Sequence, residues 1–489
     1  MSVNTAEDSR TKGGSFKLKP SQAHDHKEDD TTLPKRLLTI ACAVMVGIIL
    51  FLLPAPAGLG HDAQIYISIL AVFLILFLTE PLPLPIIMVM SAISLVAFGI
   101  DEVRNVWAAY ADPVVFFVMG SLMIAIVVEK VGLTDRLGRF ILRYTGTNVV
   151  KFSFVSCMGF GLASSVMHDV AACAVGITAM LPLIKAAGIK PYSRTGAFLF
   201  LTLPFCSSAG GMGTLVGGGR NMVAAAFLKN ITGIDVTFGQ WVLYAFPVAV
   251  VCIAAVWFAL YVVFRPDLSL HFRPLTKEQL KKKPFSPDEK KTLAIVLLTF
   301  LGFFTKTWHG MDYSIIVMSA VVLLVLFGLI DWKTLSEKTE WAVPVLVFGG
   351  GIALGSAMSS SGAADFLANI FFPLFGGRGW LMLMVGVGLF AALITQTMSN
   401  TAATALIIPI TIPIAIKEGV NPIIIALTIG MWTSFSFLLV MSCPPNVLAY
   451  SYGYFRPSQM AKAGLLAMPA AMIMITLTAI TWWRIVGLV

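Results

Sequence analysis

The chain has 489 residues, of which 57% are hydrophobic and only 12% charged, and it carries a formal net charge of +9. A soluble globular domain holds about 25% charged residues, so this composition excludes a string of soluble domains and leaves a polytopic α-helical membrane protein. The lysines and arginines flank apolar runs and lack interleaved aromatics, which argues against a nucleic-acid surface and for the positive-inside rule.

Residues 1–36 are polar and mixed in charge, with no apolar core behind a positive stretch. They read as a disordered cytoplasmic tail and not as a secretory signal. Apolar runs at Leu37–Pro54, Ile65–Leu78, Pro85–Ile100 and Pro113–Val128 predict spans at 37–54, 63–79, 83–100 and 113–130. Glu80, among the prolines of TEPLPLP, reads as a helix cap or an interface residue. Arg136, Arg139 and Arg143 then bring the chain back to the cytoplasm. Asp135, and Asp365 later, each follow a glycine and read as N-caps of short amphipathic helices.

The segment of about 149–189 begins at Lys151 and ends at Lys185, Lys190 and Arg194. Positive charge at both ends predicts entry and exit on one side: a re-entrant hairpin with Met167, His168, Asp169 and Val170 near its tip. A broken helix of about 196–228 follows, with Gly210, Gly211, Gly213, Gly217, Gly218 and Gly219 as breakers, then a span at 241–264. These elements and the preceding spans make a first repeat over 37–264. A basic cytoplasmic loop, 265–291, carries Lys281 to Lys283.

A second repeat fills 292–489, with apolar runs at Leu293–Phe304, Ile315–Ile330, Val343–Ala357, Leu381–Ile394, Ile423–Met441 and Leu465–Ile480. Its hairpin is placed at about 378–417, with Met398, Ser399, Asn400 and Thr401 at the tip, and its broken helix at about 421–452. Three matches support the duplication. MHDVAACA stands against MSNTAATA, and PVVFFVMG with its downstream G-x-x-D-x-L recurs from Pro344. GGMGTLVGGGRNMV faces FLLVMSCPPNVL, with Asn221 against Asn446. The second copy starts after an odd number of crossings, so its hairpin enters from the opposite face. The fold class is an all-α polytopic membrane protein with an inverted-topology repeat, about eleven transmembrane helices and two re-entrant hairpins.

Backbone amides in hydrocarbon must be hydrogen-bonded, so a hairpin tip or unwound helix survives only around a protein-enclosed cavity. Such tips expose helix N-termini, which attract anions, while free carbonyls and Ser, Thr or Asn oxygens suit a small hard cation. Small-residue packing accounts for part of the glycine run. The six cysteines, Cys42, Cys157, Cys173, Cys206, Cys252 and Cys443, lie in apolar stretches without CxxC spacing and read as buried hydrophobes, not as a disulfide or zinc framework. Trp107, Tyr110, Trp241, Tyr244, Trp308, Trp332, Trp341, Trp482 and Trp483 sit near span ends, as an aromatic belt requires.

At these motifs, from about residue 37 to the end, the chain resembles the divalent anion:sodium symporter (DASS) family, as a divergent prokaryotic-type member. That family carries dicarboxylates, citrate or sulfate, with a Ser-Asn-Thr triplet at each hairpin tip and a Pro-Pro-Asn-like break in the next helix. The second copy holds both, as Ser399, Asn400, Thr401 and Pro444, Pro445, Asn446. The resemblance implies sodium held by Thr395, Met398, Asn400 and Ser442, with Met398 and Ser442 contributing backbone carbonyls. It implies an anion faced by Asn400, Thr401 and Pro444, with Asn446 in the same site. It also implies a homodimer, a scaffold of spans 1–4 with their counterparts, and an elevator-like transport unit.

The first copy departs from the pattern, with His168, Asp169 and Val170 at the tip and Gly219, Arg220 and Asn221 at the break. The matching cation positions are Ser164, His168, Asp169 and Gly217; Asp169, Gly219, Arg220 and Asn221 join the anion-binding set. Three readings stand. Asp169 binds a sodium ion; or Arg220 replaces that sodium and pairs with Asp169; or His168 or Asp169 carries a proton. An unpaired intramembrane charge is costly, and so the second reading is the most economical.

These expectations combine into a secondary active transporter of a small, divalent anion, dicarboxylate or sulfate-like, in the cell (inner or plasma) membrane with a cytoplasmic N-terminus. Sodium is a co-transported ion, and a proton is the alternative. Anion exchange or proton coupling, with Asp169 and Arg220 in place of one sodium site, is the competing reading. A cation/proton antiporter or an oxyanion extruder is more remote. An intramembrane enzyme built on Ser164 or Ser165 with His168 and Asp169 is disfavoured, because adjacent His and Asp cannot form a linear base–orienter array.

Overall fold

A computed structural model gives the architecture and describes residues 33–56, 58–79, 81–272, 284–339, 341–367, 369, 379–396 and 399–489. The tail before residue 33, Glu80, Lys281 to Lys283 and Met398 lie outside the described residues, together with the expectations placed on them.

The chain runs through helices α1 (Leu33–Leu52), α2 (His61–Thr79), α3 (Leu84–Ala97), α4 (Val103–Ala109), α5 (Pro113–Lys130) and α6 (Leu133–Leu142). Helices α7 (Val149–Ser164) and α8 (Asp169–Ala186) form the first hairpin. The first broken helix is α9 (Arg194–Gly211), a 3-10 turn at Leu215–Gly217, and α10 (Gly219–Thr232). Then come α11 (Phe238–Phe264), α12 (Pro287–Phe304), α13 (Lys306–His309), α14 (Tyr313–Leu326) and α15 (Trp332–Lys338). A π-wound stretch, Ala342–Phe348, leads into α16 (Gly349–Ser360). The second hairpin is α17 (Gly379–Ile394) and α18 (Asn400–Lys417). The second broken helix is α19 (Pro422–Trp432), a 3-10 turn at Val440–Ser442, and α20 (Pro444–Ser451), before α21 (Pro457–Thr478) closes the fold.

Among the described residues five helical stretches are long and apolar enough to cross a membrane, and eight shorter apolar helices accompany them. This is a multi-pass membrane protein. Glycines and prolines stand at the interruptions between α9 and α10 and between α19 and α20. Ser193 and Asn148 cap α9 and α7 through their side chains, and Pro444 occupies the first turn of α20, where its missing N–H is no loss.

Packing interlocks the two halves. Helix α10, after the first break, lies on α18 of the second hairpin, and α20, after the second break, lies on α8 of the first hairpin. The rings of Phe205 and Phe437 stack at 3.9 Å across the two breaks, and those of Phe200 and Tyr454 at 4.1 Å. Helices α7 and α9 approach so closely that a Cβ on Gly210 would overlap the Gly161 carbonyl.

Three expectations need correction. Cys157 and Cys206 form a disulfide, joining α7 to α9; 49 residues apart, they meet only because those helices pack, which no sequence spacing displays. Cys42 is exposed, whereas Cys173, Cys252 and Cys443 are buried. Asp135 is not an N-cap: Gly132, at φ 86°, caps α6 in the left-handed conformation, and the acid falls inside the first turn, where the helix dipole still favours it. The tryptophans divide: Trp308 is 86% exposed, but Trp241 and Trp483 are buried. Their indoles donate to the carbonyls of Met212 and Tyr244, respectively.

Candidate functional site

Three helix N-termini meet between the repeats. Asp169 begins α8 and its carboxylate accepts from Arg220, the second residue of α10, at 2.9 Å (Oδ2 to Nη1). Gly219 begins α10. A Cβ there would stand 3.1 Å from the Oγ1 of Thr401, in the first turn of α18, and 3.0 Å from Phe348. The first break and the second hairpin thus come into close contact at this glycine.

Arg220 is 2% exposed and spans the whole junction. Besides Asp169, its Nη2 donates to the Ser208 carbonyl at 3.0 Å and its Nε to Ser434 Oγ at 2.5 Å. One side chain therefore ties the first hairpin and both broken helices together. A point at the Cβ position of Gly211 is 2.8 Å from the Gly217 carbonyl, 3.0 Å from Arg220 Nη2 and 3.1 Å from Ser164 Oγ. The guanidinium thus stands among Ser164, Asp169 and Gly217, three of the positions assigned to a first cation. The fourth, His168, turns its Nδ1 to Asp169 Oδ1 at 3.0 Å. Asp169 Oδ1 also accepts from the Val170 amide at 2.9 Å.

In the second repeat Thr395 Oγ1 lies 2.9 Å from Asn400 Oδ1 and 3.1 Å from the Thr433 carbonyl. The first repeat repeats this with Ser164, whose hydroxyl donates to the Ser207 carbonyl at 2.7 Å. Ser442 Oγ donates to the carbonyls of Ser436 and Leu439 at 2.9 and 2.6 Å. The two break asparagines act alike. Asn221 Nδ2 donates to the Gly211 and Thr214 carbonyls at 2.8 and 2.7 Å; Asn446 Nδ2 donates to Ser436 and Leu439 at 2.8 and 3.5 Å. Each amide satisfies carbonyls that the unwound backbone has lost as helix acceptors, which is the reason for an asparagine there. The Oδ1 atoms of both, with the hydroxyls of Ser207, Ser208 and Ser436, are buried without a hydrogen-bond partner among the described residues. Neutral oxygens of this kind, with backbone carbonyls, are the ligand type that a hard cation takes.

A cavity of about 660 Å³ opens onto this junction. His168, Gly219 and Thr401 line one end of it. The remaining wall, with Val118 of α5, Phe300 of α12 and Val317 of α14, is apolar. Arg136 also lines it, bonded to Glu289 at 2.7 Å and stacked on Phe285 at 4.1 Å. Outside the spans, Asp235 is partly buried, which opposes its ionisation. The hydrogen bond and charge of Lys306, at 2.8 Å, and the charge of Lys229 outweigh that and hold its carboxyl below the usual range.

Of the residues expected in the site, the structure brings Asp169 to Arg220 and Gly219 to Thr401, and sets Asn221 and Asn446 in the two breaks. Sequence reasoning missed Ser434, Ser208 and Thr433, and the apolar cavity wall. The signal for the hydroxyls was the pairing of Ser207–Ser208 with Thr433–Ser434, two hydroxyl pairs ahead of two breaks. The wall carried none, since those residues look like any other span.

A family model described as the sodium:sulfate symporter transmembrane region matches residues 34–489. An uncharacterized transporter of Haemophilus influenzae is 26% identical over 399 residues, with 79% of this chain and 85% of the relative covered. A sodium-dependent dicarboxylate transporter, SdcS, of Staphylococcus saprophyticus is 26% identical over 408 residues, covering 76% and 78%. The crystal structure of the Alcanivorax borkumensis YdaH transporter superposes with a TM-score of 0.54 at 14% identity, over 88% of this chain and 99% of that one; at that identity the likeness speaks for the fold alone.

Proposed function

Because the chain belongs to the sodium:sulfate symporter family, we propose that it is a sodium-coupled secondary transporter of a small divalent anion, with one sodium held in the second repeat and Arg220 as a fixed cation in the first. The family and the relatives are transporters, not enzymes. The observation that carries the finer reading is Arg220 itself. Its guanidinium lies where the first repeat gathers Asp169, Ser164 and Gly217, the counterparts of the residues that the second repeat gathers around Thr395 and Asn400.

The site's chemistry follows from charge. Three helix N-termini present amide hydrogens and partial positive charge to the cavity end, and Thr401 adds a hydroxyl. A dianion binds there. Sodium beside Thr395, Asn400, Ser442 and the carbonyls of that break, with Met398 contributing its own carbonyl, offsets the anion's charge in a low-dielectric setting, so each favours the other's binding. On the other side Arg220 takes the place of a sodium ion without having to be carried. Asp169 holds the arginine in place and balances its charge. Gly219, Asn221, Pro444 and Asn446 shape the two breaks around the anion. The rest of the reading is an inverted repeat with about eleven spans and two re-entrant hairpins, moving elevator-fashion in a homodimer. The N-terminus is cytoplasmic and the membrane is the cell membrane.

The test is uptake of labelled dicarboxylates and sulfate into proteoliposomes under a sodium gradient, a proton gradient, or internal unlabelled anion alone. Sodium-driven accumulation of a dianion supports the proposal, and Thr395→Val should abolish it. Accumulation driven only by internal anion points to an exchanger, the reading that the Asp169–Arg220 pair favours if the second site also lacks sodium. Accumulation driven only by protons makes the first repeat a proton carrier.

A further inference from the structure

His168 occupies a position where its sequence counterpart, Ser399, does something different. Ser399 is the N-cap of α18, its hydroxyl accepting from the Ala402 amide at 3.3 Å. His168 is the N-cap of α8 but makes no capping hydrogen bond from its side chain. A serine would cap this end better, so the imidazole serves another contact. That contact has two sides. Nδ1 faces Asp169 Oδ1 at 3.0 Å, and the ring, with its side chain 30% exposed, lines the cavity beside Gly219 and Thr401. The Asp169 carboxylate is paired with Arg220 and only accepts, so the hydrogen of this contact lies on Nδ1. Nε2 of the neutral ring is then an acceptor, and no residue among those described hydrogen-bonds to it. The next tip residue, Val170, is apolar where the second repeat has Thr401, which leaves His168 as the polar side chain that the first tip offers the cavity.

This rests on the transport reading above: we propose that His168 contacts the transported anion and reads a hydroxyl on it. Asp169 sets the Nδ1–H tautomer and orientation, and Nε2 accepts from an O–H carried beside the anion's charged groups. The helix N-termini bind charge; His168 distinguishes a hydroxylated dianion from its unhydroxylated counterpart. The chemistry is that of a hydroxy-dicarboxylate, as opposed to a bare dicarboxylate or sulfate, neither of which has a donor to give.

Malate and succinate differ by one hydroxyl and make the matched probe. Both are measured as competitors of labelled uptake and as ligands in thermal-shift titrations of the purified protein at pH 8. The expected result is a preference for malate on the order of five- to tenfold, as one neutral hydrogen bond supplies. In His168→Ser, which restores a capping residue and so favours folding, and in His168→Phe, the ratio should collapse to near one. A purely structural role for His168 would weaken both ligands alike and leave the ratio intact, which overturns the proposal. Equal affinities in the wild type overturn it too. A preference that appears only at acidic pH assigns Nε2 as a donor to the anion instead and overturns the acceptor role. If the protein transports sulfate or succinate under a sodium gradient yet shows no hydroxyl preference, only this inference falls. If it neither binds nor carries any dianion, the transport reading falls with it.

Discussion

Removing Arg220 is the sharpest test of the junction. In Arg220→Ala, Asp169 becomes a carboxylate 3% exposed without a counter-charge, and Ser434 Oγ and the Ser208 carbonyl lose their donor. Deleting one partner of a buried ion pair costs about 3–5 kcal/mol, and both side chains here are buried enough for that figure to apply without a solvent discount. Removing both charges, in Asp169→Asn with Arg220→Ala, should cost far less than the sum of the single losses, because no unpaired charge is left buried. The assay is thermal unfolding of the wild type, the single variants and the double variant in detergent, analysed as a double-mutant cycle. Sodium adds a second reading. The space left by the guanidinium keeps Asp169, Ser164 and the Gly217 carbonyl around it, a set suited to a hard cation. A single saturating site stabilises by about 1.4 kcal/mol per tenfold ligand. The sodium dependence of Arg220→Ala should therefore rise from about one site's worth to about two. Additive losses in the cycle, or a sodium slope unchanged from the wild type, would refute the reasoning.

Gly210→Ala should prevent the close approach of α7 and α9, since its Cβ overlaps the Gly161 carbonyl and backbone cannot yield as a flexible side chain can; a loss of about 3 kcal/mol or more is expected in the same unfolding assay. Asn446→Ala should remove one donor from the carbonyls of Ser436 and Leu439, leaving Ser442 as their remaining side-chain donor, at a cost of about 1 kcal/mol, with sodium-dependent uptake lost before the fold is. Asp235, whose carboxyl is held low by Lys306 and Lys229 against the effect of burial, adds stability that is complete above the usual carboxylate range and disappears as pH falls through its depressed value. The difference in midpoint between wild type and Asp235→Asn should therefore be steady from pH 7 to about 5 and vanish in strong acid; a difference that grows on acidification reverses the sign and sinks the assignment.

The sequence by itself carried the large features because they follow from local chemistry. Hydropathy gives spans, charge at both ends of 149–189 gives a chain segment that turns back, and glycine or proline clusters give breaks, since each acts within a few residues. Pairing the two copies also named Asp169, Arg220, Asn221, Asn400, Thr401 and Asn446. Other features depended on which helix faces which. The Cys157–Cys206 bond needs α7 against α9. The reach of Arg220 to Ser434 joins residues 214 apart in the chain. The left-handed Gly132 shifted the cap by three residues from Asp135, and the cavity wall is made of span residues that no pattern marks. A sequence states what each segment prefers in hydrocarbon; only packing determines which buried polar groups find one another, because a charge or carbonyl in that medium takes its role from the partner it meets.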